Sequence, residues 1–478
     1  MRQATAADWF AASGSGHIRR DDGDGEDRMV QRLAALLAAL MLALLSAPPA
    51  VAIEPPTIDR GALPPDETGP DQPTEQRRAC SAPMVFPNSN FVDKPWPNAY
   101  LRISEAQKFA TGAGVTVAVI DTGVTGSARV PAQPGGDFVD KAGDGMSDCD
   151  SHGTLTASLI AGRGAPTDGF IGVAPDARIL SLRQTSDNFQ PVGARTDPND
   201  PNSTQTAGSL RSLARSIVHA ANLGAGVINI SEAACYKVTR PIDESGLGAA
   251  IEYATNVKGA VVIVAAGNTG QECTQNPPPD ASVPADPRGW QEVQTIVSPA
   301  WYSPLVLTVG SVAENGQPSS FSMSGPWLGA AAPGENIVAL GYDGNPVNAL
   351  QGQDGLIPIN GTSFSAAYVS GLAALVKQRF PDLTPAQVIN RITATARHPG
   401  GGVDNYVGAG VIDPVAALTW DVPEGPTDVP YSVKQLPPPV YIPPPDRGPI
   451  TIVVVAAASL VLILGIGAMA RRALSRRR

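Results

Sequence analysis

Three short segments of this chain carry an acid, an imidazole and a hydroxyl in settings that suit acyl transfer. The apolar run 115–120 (VTVAVI) ends in Asp121-Thr122-Gly123. Ser151-His152-Gly153-Thr154 leads into apolar positions at Leu155, Ala157, Leu159 and Ile160. Gly361-Thr362-Ser363 leads into a second such face through Ala366, Ala367, Leu372 and Leu375. A serine hydroxyl is a poor nucleophile at neutral pH and needs a base in contact with it. Histidine titrates near neutrality, so it can take that proton and return it to a leaving amine. A carboxylate fixes the imidazole tautomer and stabilises the imidazolium. At a helix N-terminus the serine also sits where backbone N–H groups converge on developing negative charge. Asp121, His152 and Ser363 are therefore the candidate catalytic residues. Neighbouring groups have plainer readings. Asp148 and Asp150 are expected in a solvated turn, Ser365 packed within its helix, His219 in a structural position and His398 exposed. Ser363 is not in a Gly-x-Ser-x-Gly elbow, which argues against a lipase or esterase.

Holding three such residues together asks for rigid elements. Runs 115–120, 177–182, 227–230, 260–265 and 305–309 are short, apolar and rich in branched side chains, and read as buried strands. Residues 210–223 have helical spacing, with Leu213, Ile217 and Ala221 on one face. A second helical run covers 363–380, and Thr384-Pro385 opens a third with a capping hydroxyl and a proline in the first turn. Apolar strands separated by helices imply an α/β domain whose parallel sheet is covered on both faces. Two polar, proline-bearing stretches, 185–208 and 270–298, read as long surface loops.

The bulk properties narrow the setting. At 478 residues with 43% hydrophobic and 16% charged residues, the chain can fill one large α/β domain with flanking segments. A net charge of −10 argues against nucleic acid as a partner, because phosphate binding needs a basic surface. Both ends point to a membrane. Arg32, an apolar run 33–45 and Ala50-Val51-Ala52 have the form of a secretory signal peptide cleaved after Ala52. The acidic stretch before Met29 is foreign to such a signal, so translation is expected to begin at Met29. Residues 450–470 form an uncharged run of about the 20 residues that span a bilayer. Five arginines in 471–478 follow it and place that tail in the cytoplasm, with the long N-terminal portion outside. Between these lie a proline-rich extension (53–97), the domain (98–420) and a proline-rich stalk (421–449), which is stiff and extended. Cys80, Cys149, Cys235 and Cys273 all fall in the exported portion, where an even count suggests two disulfides. There is no C-x-x-C pair and histidine is scarce, so no metal site and no cofactor are expected.

The order Asp, His, Ser within Asp-Thr-Gly, His-Gly-Thr and Gly-Thr-Ser-Phe-Ser-Ala resembles the subtilisin (subtilase) family of serine proteases, over roughly residues 101–418. Gly172-Val173-Ala174-Pro175, Ala331-Ala332-Pro333-Gly334 and the closing segment 407–413 (VGAGVID) belong to the same resemblance. It implies a doubly wound parallel sheet with the site at the carboxyl ends of the strands. It also implies that Asn268, in Ala265-Ala266-Gly267-Asn268, donates to the oxyanion beside the Ser363 N–H. One departure is Ile230-Ser231-Glu232-Ala233, where many relatives have Ser-Leu-Gly in the strand that pairs with substrate. Glu232 has two open readings there: a selector of basic or polar substrate residues, or a side chain facing solvent. In the family's frame Cys235 and Cys273 each lie just beyond a strand that points at the site, which favours that pair and leaves Cys80 with Cys149; four cysteines allow three pairings. The extension 53–97 is too short and proline-rich for a folded inhibitory propeptide, and is expected to wrap the domain. The whole layout is similar to the mycosins, membrane-anchored proteases of actinobacterial type VII secretion systems. That resemblance implies exported proteins as substrates and components of the secretion membrane complex as partners. It leaves two functions to separate: an endopeptidase, or a structural component of the complex with proteolysis secondary.

Overall fold

The computed structural model describes residues 53–193, 206–240, 242–270 and 273–434. The signal peptide with Met29, the stalk beyond Lys434, the membrane run 450–470 and the basic tail lie outside the described residues. Among the described residues no helix is long and apolar enough to cross a membrane.

Seven strands form the central sheet: β1 (Thr116–Asp121), β2 (Ala132–Asp137), β3 (Arg178–Arg183), β4 (Val227–Ile230), β5 (Val261–Ala265), β6 (Leu307–Val312) and β7 (Leu328–Pro333). Their spatial order is β7-β6-β5-β4-β1-β3-β2, and every pairing is parallel. Side chains of a strand alternate between faces. In β1, Val117 and Val119 enter one core while Ala118 and Ile120 enter the other. A strand buried on both sides has no polar face to show, which is why these runs read as continuous apolar stretches. Helices α1 (His152–Ala161) and α4 (Thr362–Arg379) cover the first face, and α2 (Leu210–Asn222) and α3 (Ser245–Glu252) cover the second. Helix α5 (Pro385–Ala394) starts with the expected cap: the Thr384 side chain accepts from the Gln387 N–H.

The expected doubly wound α/β sheet is therefore present. Two of its strands were not anticipated as strands. β2 has the sequence AQPGGD, and proline and glycine are tolerated only because it lies at the sheet edge. β7 (LGAAAP) is built of small residues and is the opposite edge. The stretch 270–298 is less a loop than a tether: Thr295–Ser298 pairs antiparallel with Ala234–Lys237.

The N-terminal segment lies along the domain surface. Thr74–Gln76 pairs antiparallel with Phe189–Pro191, and Met84 bridges Ala349. Asp66 accepts from His219 at 2.6 Å, Asp71 pairs with Arg215 at 2.7 Å, and Arg60 pairs with Glu252 at 2.6 Å. Residues past Trp420 return to meet it, with Ile58 bridging Val433.

Candidate active site

The sheet order reverses at β1: the chain proceeds from β1 outward to β2 and β3, then crosses back to β4 on β1's other side. Such a switch point opens a crevice at the carboxyl ends of the adjoining strands. Asp121 ends β1 and Ser231-Glu232 follows β4, so both border that crevice.

Asp121 is fully buried. Its Oδ1 accepts from the Thr122 N–H and meets His152 Nδ1, both at 2.7 Å. Burial opposes its charge, yet the His152 charge and hydrogen bond, with the Thr122 N–H, hold its carboxyl below the usual value. The approach of β1 to α1 depends on close backbone contact. A side chain at Gly153 would put a carbon 2.0 Å from the Gly123 carbonyl oxygen, so only glycine fits after His152.

Asp148 completes this junction, contrary to its expected place in a solvated turn. It is 6% exposed. Its Oδ2 accepts from the Thr154 N–H at 2.9 Å and the Thr154 hydroxyl at 2.6 Å. Its Oδ1 accepts from the Thr122 hydroxyl at 2.9 Å, while Thr122 Oγ1 accepts from the Gly153 N–H at 2.9 Å. Asp148 thus caps the helix that carries His152, because Ser151 is in the left-handed region and makes no cap. Burial outweighs these hydrogen bonds and pushes its carboxyl up to about 6. Asp150 is half-buried rather than solvated, and its carboxylate gathers the Ser186 hydroxyl, the Asp187 N–H and the Asn188 amide. The doubled acid pattern beside His152 was the one available sign of this network. Ser365 is buried, with its hydroxyl on the Pro333 carbonyl, and His398 is exposed, both as expected.

Ser363 occupies the first turn of α4 and is 6% exposed. Its hydroxyl donates to the Ser231 carbonyl at 3.2 Å, and the Phe364 ring beneath it packs on His152 at 5.2 Å between centroids. Asn229 fixes this carbonyl's neighbourhood: its side chain takes a bond from Ser370 of α4 and gives one to the Ser231 hydroxyl, both at 2.8 Å. Sequence reading missed that link, which an asparagine inside an apolar strand could have suggested. Asn268 is exposed after β5. Its Oδ1 accepts from the Thr362 N–H at 3.0 Å and the Thr362 hydroxyl at 3.1 Å. With the oxygen so used, Nδ2 is the outward donor, beside Gly361 at the N-terminus of α4.

Glu232 does not face solvent. It is half-buried, and one carboxylate oxygen lies within 4.8 Å of both the His152 ring and the Asp121 carboxylate. Burial, then the charge of Asp121, pushes it up to about 7, with His152 opposing. Burial also lowers His152, but Asp121, then Glu232 and Asp148, outweigh it and raise the imidazole to about 9. The Asp121, His152 and Glu232 ligand atoms are close enough to one another to suit a metal ion, and no other such group occurs among the described residues.

Both expected disulfides are formed. Cys235–Cys273 ties the segment after β4 to the segment after β5, with Cα atoms 5.2 Å apart. Cys80–Cys149, with Cα atoms 4.4 Å apart, fastens the N-terminal segment to the loop carrying His152.

The profile of the Subtilase family (Peptidase S8) matches residues 112–410. The chain is 78% identical to Mycosin-1 of Mycolicibacterium smegmatis, over 94% of this chain and 100% of that protein. The chain belongs to the subtilase family, in its mycosin branch. Two solved structures resemble this subtilase closely. The crystal structure of MycP1 from the ESX-1 type VII secretion system is 80% identical, with a TM-score of 0.78, and spans 80% of this chain and 100% of that one. A chain in the structure of an intact ESX-5 inner membrane complex is 46% identical, with a TM-score of 0.74, and spans 87% of this chain and 98% of that one. As a subtilase the chain is a serine protease.

Proposed function

We propose that this subtilase is an outward-facing, membrane-held endopeptidase that processes exported proteins within a type VII secretion complex. The observation that carries the catalytic part is the 2.7 Å contact between Asp121 and His152 at the mouth of the crevice, with Ser363 beside them on the first turn of α4. In this reading Ser363 Oγ attacks the scissile carbonyl and gives its proton to His152 Nε2. Asp121 holds the ring through Nδ1 and stabilises the imidazolium that forms. The Asn268 Nδ2 and the Ser363 N–H donate to the oxyanion, and the helix N-terminus adds its dipole. His152 then protonates the leaving amine, and water hydrolyses the acyl-enzyme by the reverse proton path. Against burial, Asp121 raises the His152 imidazole above its ordinary value, and in the resting state the Ser363 hydroxyl donates to the Ser231 carbonyl.

The secretion setting is supported by the two solved relatives named for type VII systems. The membrane-type run 450–470 and the arginines after it support a single anchor with a cytoplasmic tail. The extension 53–97 lies on the domain and is disulfide-bonded to it, which supports its staying with the mature enzyme. A fluorophosphonate probe tests the chemistry: the wild type is labelled and Ser363→Ala is not. Unlabelled wild type would remove the catalytic reading. Ending the chain after Lys434 tests the anchor, since the shortened protein is expected in the soluble fraction. A structural role has its own support, because a relative sits inside the ESX-5 membrane complex. Secretion that survives Ser363→Ala and fails on deletion of the whole protein would make that role the principal one.

A further inference from the structure

Glu232 stands out among the charged groups of the crevice. Its carboxylate is half-buried, and it forms no hydrogen bond and no ion pair with any described residue. The groups that act on it are mostly acids: Asp121, Asp187 and Asp150, with His152 the lone opposing charge. Half-burying a carboxylate among acids, with the one opposing imidazole already bonded to Asp121, costs stability, so such an arrangement persists where a cation arrives from outside.

The backbone indicates which cation. Beyond Ile230 the chain leaves the sheet, and Ser231 to Ala233 pair with no strand before Ala234 joins Thr295–Ser298. The Ser231 carbonyl already faces Ser363. An unpaired segment beside the nucleophile is an edge on which an extended peptide adds as a strand. Along that edge side chains alternate. Ala233 points to the Gly267 side, where a carbon on Gly267 would meet it at 3.5 Å and Val297 at 3.1 Å. Glu232 points the other way, to His152 and Asp121. A peptide laid along this edge alternates in the same fashion. The residue at the scissile bond turns toward the Ala233–Gly267 wall, and the residue before it turns toward Glu232.

We infer that Glu232 is a specificity-determining residue that selects lysine or arginine at the residue preceding the one whose carbonyl is cleaved. The inference rests on the catalytic reading proposed above and adds to it a substrate class. A bound ammonium or guanidinium would give Glu232 the partner it lacks, through a charge-assisted hydrogen bond. It would also cancel one of the negative charges that favour imidazolium over imidazole at His152, so the basic residue would act on turnover as well as on binding.

The test uses quenched-fluorescence octapeptides identical except at that position, carrying lysine, arginine, methionine or glutamate. Fluorophosphonate labelling of Ser363 runs alongside on the same preparations. For the wild type kcat/KM is expected to favour lysine over methionine by about ten-fold or more, part of it in kcat. Glu232→Gln is expected to lose that preference while still being labelled, and Glu232→Lys to prefer glutamate. Equal rates for lysine and methionine in labelled wild type would overturn the inference and leave the protease intact. A lysine preference that persists in labelled Glu232→Gln would overturn it equally. Wild type that is not labelled at all would overturn the catalytic reading, and this inference with it.

Discussion

Glu232 and Glu244 stand at the two ends of one excursion of the chain, between its departure from β4 and its entry into α3. Burial pushes both carboxyls up to about 7. Their surroundings differ. Glu244 is 7% exposed and fully engaged: Oε1 accepts from the Tyr236 hydroxyl at 2.5 Å, Oε2 accepts from the Ser298 hydroxyl, and its own carbonyl accepts from Tyr302 at 3.1 Å. Glu232 has none of these partners and looks into the crevice. A buried acid whose oxygens are satisfied holds a fold together, while one left without a partner waits for a ligand. Cys235, tied to Cys273, lies between the two glutamates along the chain.

If that division holds, changes on the crevice side show first in rates, and changes on the Glu244 side show in stability and not in rates. The largest effect is expected from Asn268→Ala on the crevice side. Losing one oxyanion donor costs about 10²–10³ in kcat. KM should stay put, while the urea midpoint of unfolding should fall, because the buried Thr362 N–H and hydroxyl lose their acceptor in the Asn268 side chain. A kcat that stays near the wild-type value would take Asn268 out of the oxyanion site and break the division there. Next comes Glu244→Ala. It leaves the Tyr236 and Ser298 hydroxyls buried without their acceptor, at a cost of about 2–4 kcal/mol. Urea unfolding measures that loss, and kcat/KM of the folded protein should match the wild type. Glu232→Ala should not lower the midpoint, and should raise it as pH approaches 7, because the half-buried ionised carboxylate costs stability there.

How far this division was legible from residues alone follows from what each residue depends on. β1, β3, β4, β5 and β6 were readable because burial on both faces enforces continuous apolar runs. β2 was not, because an edge strand with Pro134 and Gly135 takes its conformation from pairing with β3. While Asn268 came only from the family resemblance, Asp121, His152 and Ser363 were readable as candidates through their flanking glycines, threonines and helix starts. Those positions answer to local geometry, as Gly153 against Gly123 illustrates. Glu232 stayed ambiguous because its character is set by three separate elements that meet only in the folded crevice. Asp148 was misjudged for the same reason: its partners Thr122 and Thr154 lie on β1's exit and on α1.

The pH dependence of turnover sharpens the comparison further. His152 must be neutral to accept the Ser363 proton, so kcat/KM should rise with pH toward the imidazole value of about 9. Glu232 is one of the negative charges that raise that value. Glu232→Gln removes it, so the rising limb should move to lower pH, on the order of one unit. Glu244→Gln should leave the limb where it is, since Glu244 is not among the groups acting on His152. A limb that moves equally in both variants would erase the distinction between the two acids.

The smallest expected effect concerns stability against pH at Glu244. Its ordinary value is 4.5 and its folded value about 7, so the folded state binds this proton more tightly than the unfolded state. The stabilisation is complete below pH 4.5 and is lost as pH rises through about 7. Glu244→Gln keeps an oxygen for one hydroxyl and removes the ionisation, so its unfolding free energy should fall less than the wild type's across that window. The two hydroxyl hydrogen bonds are already included in the folded value of about 7, so the difference opens across the window from that raised value alone. His152 contributes in the same direction in a later window, since its stabilisation is full below 6.5 and lost through about 9. Urea unfolding between pH 4.5 and 6.5 therefore isolates the acids from the imidazole. Glu232→Gln should flatten the same window in the free enzyme. With a lysine-bearing peptide aldehyde on Ser363, the wild type should lose the Glu232 share of the slope, because the cation then compensates that charge. It should keep the Glu244 share, which no ligand in the crevice can reach. Equal slopes in Glu244→Gln and wild type would mean that Tyr236 and Ser298 carry the Glu244 charge without cost, and the two glutamates would then differ even in their ionisation.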